Sequence, residues 1–177
     1  MIAVNCYETD EEMLIIEGSL TDERLFPSII HAINKKRGAG LIHQITVTME
    51  ISVPQLKIIS VKAEMPVVPD EGCRDIKEAI RKLAGLSIQP GFTNETRKIL
   101  GKVSGCLHLT NLILSMSSAA VQGVWSYYSR EREGYPAPAA PKGDGSMLLN
   151  SCYMWRECGP FVEKARPRHA VEREKGG

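Results

Sequence analysis

The sequence predicts an α+β fold in which helices pack on one face of an antiparallel sheet. Apolar and polar residues alternate strictly between residues 44 and 52, which is typical of a half-buried strand. From about residue 73 onwards, apolar residues instead recur at helical spacing. The strands therefore come first and the helices second. At 177 residues and 43% hydrophobic content, the chain can bury a substantial core without disulfides.

The first strands are bounded by turn-forming residues. Residues 13–20 predict a strand that ends near Gly18, followed by a turn at Thr21 and Asp22. Residues 25–33 are apolar but contain Pro27, which predicts a strand at a sheet edge. The cationic and glycine-rich residues 35–40 predict an exposed loop.

A β-hairpin follows. Ile45, Val47, Met49 and Ile51 alternate with polar residues, and residues 56–63 return as a second strand beyond a turn. Two adjacent isoleucines in the second strand, at positions 58 and 59, change the phase of the alternation. They predict a β-bulge or a stretch that is buried on both faces.

Three helices are predicted next. Asp70 or Glu71 caps a helix over residues 73–83, and Gly85 ends it. A short helix covers residues 93–101, and a long apolar helix covers residues 106–128.

The composition predicts one domain with a long C-terminal extension. Residues 1–132 form the α+β domain, residues 133–146 a Pro- and Gly-rich loop, and residues 147–160 a segment that returns to the domain as an edge strand or a docked loop. Residues 161–177 are predicted to be a disordered tail.

Charge and cysteine usage limit the classes of partner. The chain has 22 Lys and Arg against 21 Asp and Glu, so it lacks the basic footprint of a nucleic-acid-binding protein. No apolar segment has the length of a signal peptide core or a membrane span. Five irregularly spaced cysteines indicate reduced thiols. We therefore expect a cytoplasmic protein that binds neither nucleic acid nor membranes.

Four residues are candidates for one metal site. His43 precedes the alternating strand, Cys73 opens one helix, and Cys106 and His108 open another. If the hairpin packs against both helices, these element ends converge at one edge of the sheet. Two thiolates and two imidazoles suit a tetrahedral zinc ion or an iron–sulfur cluster.

Other interpretations of these residues stay open. The cysteines can be small buried side chains without a function. In a small enzyme, Cys106 would be a thiolate nucleophile with His43 or His108 as its base, or a metal would activate water. Against a thiolate–imidazole pair, Cys106 and His108 are two residues apart, and such residues on one helix point in different directions. In a non-catalytic interaction module, the site would be vestigial and the aromatic end of the long helix would form a homodimer. Asp22 is an isolated acid with no visible partner.

Over residues 13–158 the chain resembles an uncharacterised bacterial domain-of-unknown-function family, DUF2889. The resemblance implies no activity. The matching features are Leu20-Thr21-Asp22, Leu41-Ile42-His43, Cys73, Leu83-Ala84-Gly85, Pro90-Gly91-Phe92, Gly105-Cys106-Leu107-His108-Leu109 and Leu148-Leu149-Asn150-Ser151-Cys152.

Residues 43–121 are also similar to iron–sulfur cluster assembly scaffolds of the IscU and NifU type. The similarity implies a SufE/NifU (IscU)-like fold and a metal- or cluster-binding scaffold or carrier rather than an enzyme. His43 occupies the first ligand place, Cys73 the second, and Cys106 with His108 the third. Two histidines favour zinc, iron or a Rieske-like cluster over an all-thiolate cluster. Cys152 is an additional or alternative ligand, or a buried thiol.

Overall fold

A computed structural model of the chain describes residues 1–9, 12–53, 55–130, 149–150 and 152–165. The chain divides into two compact units, residues 1–138 and residues 139–177.

The first unit is built on a four-stranded antiparallel sheet with the order β1-β2-β5-β6. The strands β3 and β4 form a separate antiparallel pair between β2 and β5 in sequence. The six strands are β1 (Ile2–Glu8), β2 (Met13–Arg24), β3 (Ser28–Ile30), β4 (Lys35–Arg37), β5 (Gly40–Ser52) and β6 (Lys57–Val67).

The helices of this unit follow β6. The first is mostly 3₁₀-helical, with α1 (Lys77–Ile80) lying between 3₁₀ turns at Glu71–Ile76 and Arg81–Leu83. It is followed by α2 (Phe92–Leu100) and the long α3 (Leu107–Ser129). Short 3₁₀ turns also cover His31–Ile33 and Lys102–Ser104. Among the described helices, none combines the length and the hydropathy that a membrane crossing requires.

The core lies between one face of the sheet and the helices. The alternating residues Ile45, Val47, Met49 and Ile51 of β5 are fully buried. Helix α3 packs on β2 and β1, and the approach is close at Gly18, where a Cβ atom would lie 2.5 Å from Met116 Sδ. The α+β class and the antiparallel sheet predicted from the sequence are confirmed.

The predicted hairpin and its bulge are present. Strands β5 and β6 pair in antiparallel fashion, and Glu50 lies opposite Ser60 while the next residue, Ile51, lies opposite Ile58. Ile59 is thus the extra residue on β6 and is exposed. The phase change at adjacent isoleucines was therefore a correct signal for a bulge.

Several sequence predictions were wrong in detail. Strand β2 does not end near Gly18 but continues through Asp22 to Arg24, because pairing with β1 and β5 extends it. Lys35–Arg37 is a strand rather than a loop, since it pairs with β3. The segment at residues 25–33 contributes only three strand residues, and these lie outside the main sheet. Strand β1 was not predicted at all.

The second unit contains the short helix α4 (Pro160–Ala165). Its described residues before α4 form turns, in which the Asn150 N–H donates to the Trp155 carbonyl. The Trp155 and Phe161 rings meet edge to face with centroids 5.4 Å apart. The predicted loop at residues 133–146 and most of the predicted tail, residues 166–177, lie outside the described residues.

Candidate metal site

Two neighbouring strands bring together a carboxylate and an imidazole. Asp22 on β2 and His43 on β5 are cross-strand partners, and the register shifts immediately after Asp22. His43 Nδ1 lies 3.0 Å from Asp22 Oδ2, which is a hydrogen-bond distance. The His43 side chain is only 12% exposed, whereas that of Asp22 is 46% exposed. The pair therefore faces solvent through its carboxylate.

The start of α3 adds a second imidazole. His108 lies in the first turn of this helix, two residues after the N-cap residue Cys106. The His108 and His43 ring centroids are 4.0 Å apart, with the ring planes tilted by 32°. His108 Nε2 lies 4.0 Å from Asp22 Oδ2. Potential ligand atoms of Asp22, His43 and His108 all lie within 4.8 Å of one another.

The turn before α3 fixes where His108 lies. A Cβ atom on Gly105 would be 1.8 Å from the Leu100 carbonyl oxygen, so α2 and α3 can approach this closely only with glycine there. The buried Thr110 hydroxyl is 2.8 Å from the Leu100 carbonyl oxygen and 2.9 Å from that of Cys106, and it donates to these acceptors. The first turn of α3 is thereby attached to the end of α2.

The surroundings of His108 favour its neutral form. Burial lowers the pKa of His108, and the neighbouring His43 lowers it further, while Asp22 acts in the opposite direction. Only a neutral imidazole has a ring nitrogen lone pair for a metal ion. The lowered pKa therefore extends to lower pH the range in which His108 can act as a ligand.

Cys106 lies beside His108. Its Sγ is 3.9 Å from His108 Nδ1, and the side chain is partly buried. Sequence reasoning treated both residues as helical, which would point them in different directions. Cys106 instead has the extended backbone of an N-cap residue, with φ −128° and ψ 130°, and this brings its thiol towards His108.

The other two predicted ligands are in different surroundings. Cys73 is partly buried in the 3₁₀ turn before α1, where its N–H donates to the Asp70 carbonyl. Within the described residues, the group with mutually close ligand atoms contains neither Cys73 nor Cys106. Cys152 is exposed and belongs to the second unit.

Sequence reasoning missed Asp22. It assigned this residue to a turn and saw no partner, because His43 is 21 residues away in sequence. The pairing register of β2 with β5 would have provided the signal, but neither strand end was predicted to extend this far. Asp22 becomes recognisable as a candidate only once its cross-strand partner is known.

Comparison with known proteins identifies a family for most of the chain. A family profile described as "Protein of unknown function (DUF2889)" matches residues 1–122, a range that contains Asp22, His43, Cys106 and His108. No curated protein and no solved structure matches the sequence.

Proposed function

We propose that this chain, which belongs to the protein family of unknown function DUF2889, binds a divalent transition-metal ion through Asp22, His43 and His108. The supporting observation is that β2, β5 and α3 contribute one carboxylate and two imidazoles whose ligand atoms lie within 4.8 Å of one another. Two histidines with one carboxylate form a common ligand set for zinc and for non-haem ferrous iron.

The distances are compatible with such an ion. Zinc bonds of about 2.0–2.2 Å to nitrogen and oxygen separate neighbouring tetrahedral ligands by about 3.3 Å. The 3.0 Å between His43 Nδ1 and Asp22 Oδ2 is already close to this value. The 4.0 Å between His108 Nε2 and Asp22 Oδ2 needs a contraction of less than about 1 Å, which side-chain rotation can supply.

The resemblance to iron–sulfur scaffolds supports a finer version of this proposal. In that version the chain is a carrier with a SufE/NifU (IscU)-like fold, and Cys106, beside His108, supplies a thiolate ligand. A bound cluster would also need a thiolate from further away, such as that of Cys73. We favour a mononuclear ion, since the three residues that lie together supply nitrogen and oxygen ligands.

The test is the metal content of the full chain. Anaerobically purified protein should contain about one zinc or iron per chain, and a visible absorption spectrum separates a mononuclear ion from a cluster. His43→Asn and His108→Asn should each abolish binding, whereas His31→Asn, a change at an exposed histidine, should not. A folded wild-type protein that neither contains nor takes up zinc, iron or cobalt would exclude the proposal.

A thiolate enzyme is the second candidate function. Its support is that Cys106 Sγ lies 3.9 Å from His108 Nδ1, while His108 Nε2 lies 4.0 Å from Asp22 Oδ2. This order resembles a nucleophile, a base and an orienting carboxylate. Iodoacetamide should then alkylate Cys106 much faster than the more exposed Cys158 near neutral pH, because a base beside the sulfur would hold Cys106 as the reactive thiolate. Mass spectrometry measures the two alkylation rates, and equal rates would contradict this candidate.

A further inference from the structure

A hairpin arm leaves the sheet beside the metal site. We use the name arm for residues 24–41, which contain β3 and β4 and connect the end of β2 to the start of β5. Asp22 and His43 lie at these same strand ends. Strands β3 and β4 pair with each other and not with the main sheet. A two-stranded hairpin is marginally stable alone in water, so the arm gains stability from any surface that covers it.

Large apolar side chains are exposed on the arm. Leu25, Phe26 and Ile33 are 77%, 75% and 60% exposed. Leu107, which is next to His108 at the start of α3, is 72% exposed. Large exposed apolar side chains on one segment are typical of an interaction surface in soluble proteins.

The arm is also strongly cationic. Residues 24–41 contain no Asp or Glu, although the whole chain has a net charge of only +1. No ion pair to an arm cation occurs in the part of the chain that the structure describes. The arm cations are Arg24, Lys35, Lys36 and Arg37.

We propose that the arm docks an acidic surface of a partner protein that also presents apolar side chains. The charge of the arm selects the acidic partner, and the exposed leucine and phenylalanine provide the apolar contact. Ile29 and Lys36 are cross-strand partners, so an apolar and a cationic side chain share one face of the hairpin. Such mixing fits a protein surface better than a bilayer, which favours an apolar face separated from a cationic one.

Nucleic acid fits the arm less well. Phe26 is the only aromatic residue of the arm apart from His31, whereas single-stranded nucleic acids are held on aromatic platforms. Protein–DNA interfaces are also more polar than protein–protein interfaces, whereas the arm exposes Leu25, Phe26 and Ile33.

Selection from a displayed library of random 15-residue peptides, with the full chain as bait, tests the proposal. We expect the selected peptides to combine Asp or Glu with Leu, Ile or Phe. The strongest one is then synthesised with a fluorescent label and its Kd measured by anisotropy. Lys35→Glu with Lys36→Glu should weaken binding at least tenfold, and so should Phe26→Ser. The matched double change at exposed cations elsewhere, Lys62→Glu with Lys82→Glu, should leave the Kd within about twofold.

The proposal is overturned if the library gives no acidic and apolar consensus, or if the control pair weakens binding as much as the arm pair. It is also overturned if the wild-type chain binds phosphatidylglycerol vesicles, DNA or a second copy of itself, and the arm changes abolish that binding but not peptide binding. Circular dichroism and urea unfolding verify that each variant is folded. The arm proposal does not depend on the metal site, so a metal-free wild type that still binds the peptide would exclude only the proposed function.

Discussion

Asp22 is the residue that connects the two imidazoles of the site. Its Oδ2 atom is 3.0 Å from His43 Nδ1 and 4.0 Å from His108 Nε2. Nearly half of its side chain is exposed. A carboxylate so exposed contributes little to folding stability through these contacts. In the proposed metal site, its contribution would be to orient the rings and to supply negative charge towards the cation.

Asp22→Asn should therefore weaken metal binding without unfolding the protein. The amide keeps the size of the side chain but removes the charge, and we expect an affinity for zinc or cobalt that is lower by at least about tenfold. Glu23→Gln removes the neighbouring exposed carboxylate of β2 and should have little effect. Competition with a chromophoric chelator measures both affinities, and equal losses in the two variants would contradict a specific role for Asp22.

The lowered pKa of His108 predicts that the metal-free protein loses stability as the pH falls. The unfolded chain takes up a proton at this imidazole near pH 6.5, whereas the folded chain does so only at a lower pH. Between the two pKa values the unfolded state binds more protons, so the free energy of unfolding rises with pH across that interval.

Urea unfolding of the metal-free protein at a series of pH values measures this slope. His108→Asn should make the free energy of unfolding less dependent on pH below about pH 6.5. The control, His31→Asn in the exposed 3₁₀ turn of the arm, should leave this dependence unchanged. If wild type and His108→Asn show the same dependence on pH, burial of His108 does not affect its titration.

At the scale of the elements, the turn between α2 and α3 determines where the site helix begins. Gly105→Ala would place a Cβ atom 1.8 Å from the Leu100 carbonyl oxygen, a backbone atom that cannot rotate away. We expect the free energy of unfolding to fall by about 2 kcal/mol or more, since the backbone must shift. Gly38→Ala meets no heavy atom within 4 Å and should change stability by less than about 0.5 kcal/mol. Urea unfolding of both variants provides the comparison. An unchanged free energy of unfolding in Gly105→Ala would contradict the close approach of Gly105 to the Leu100 carbonyl oxygen.

The elements that sequence reasoning predicted correctly carry their signal locally. From Ile45 to Ser52 of β5, buried residues alternate strictly with partly exposed ones, and even the bulge in β6 left a trace in two adjacent isoleucines. Strand β1 gave no such signal, because at the sheet edge almost all of its residues are exposed. Gly18 suggested the end of a strand, whereas it permits α3 to pack against the middle of β2.

The candidate site was less predictable than the fold, because it depends on pairing between distant segments. His43 and His108 were identified from their positions at the starts of elements, without knowledge of the strand register. Asp22 could not be identified in this way, since only the pairing of β2 with β5 places it opposite His43. The apposition of Cys106 and His108 depends on the extended backbone of an N-cap, which spacing alone did not reveal.

At the scale of the whole molecule, the site exists only in the folded state. Its three residues come from β2, β5 and α3, and folding is what brings them within 4.8 Å of one another. A ligand that binds the folded chain and not the unfolded chain stabilises it by mass action. If the chain binds a metal ion as proposed, metal binding and thermal stability are therefore linked, even for an ion without a structural role.

Zinc at about 100 times its Kd should add about 2.7 kcal/mol to the free energy of unfolding. For a chain of this size that corresponds to a rise in Tm of roughly 5–10 °C. Excess EDTA should reverse the rise, and His108→Asn should show none of it at the same zinc concentration. Scanning calorimetry makes the measurement. An equal rise in the wild type and in His108→Asn would mean that zinc binds elsewhere, because only the site formed by Asp22, His43 and His108 loses a ligand in that variant.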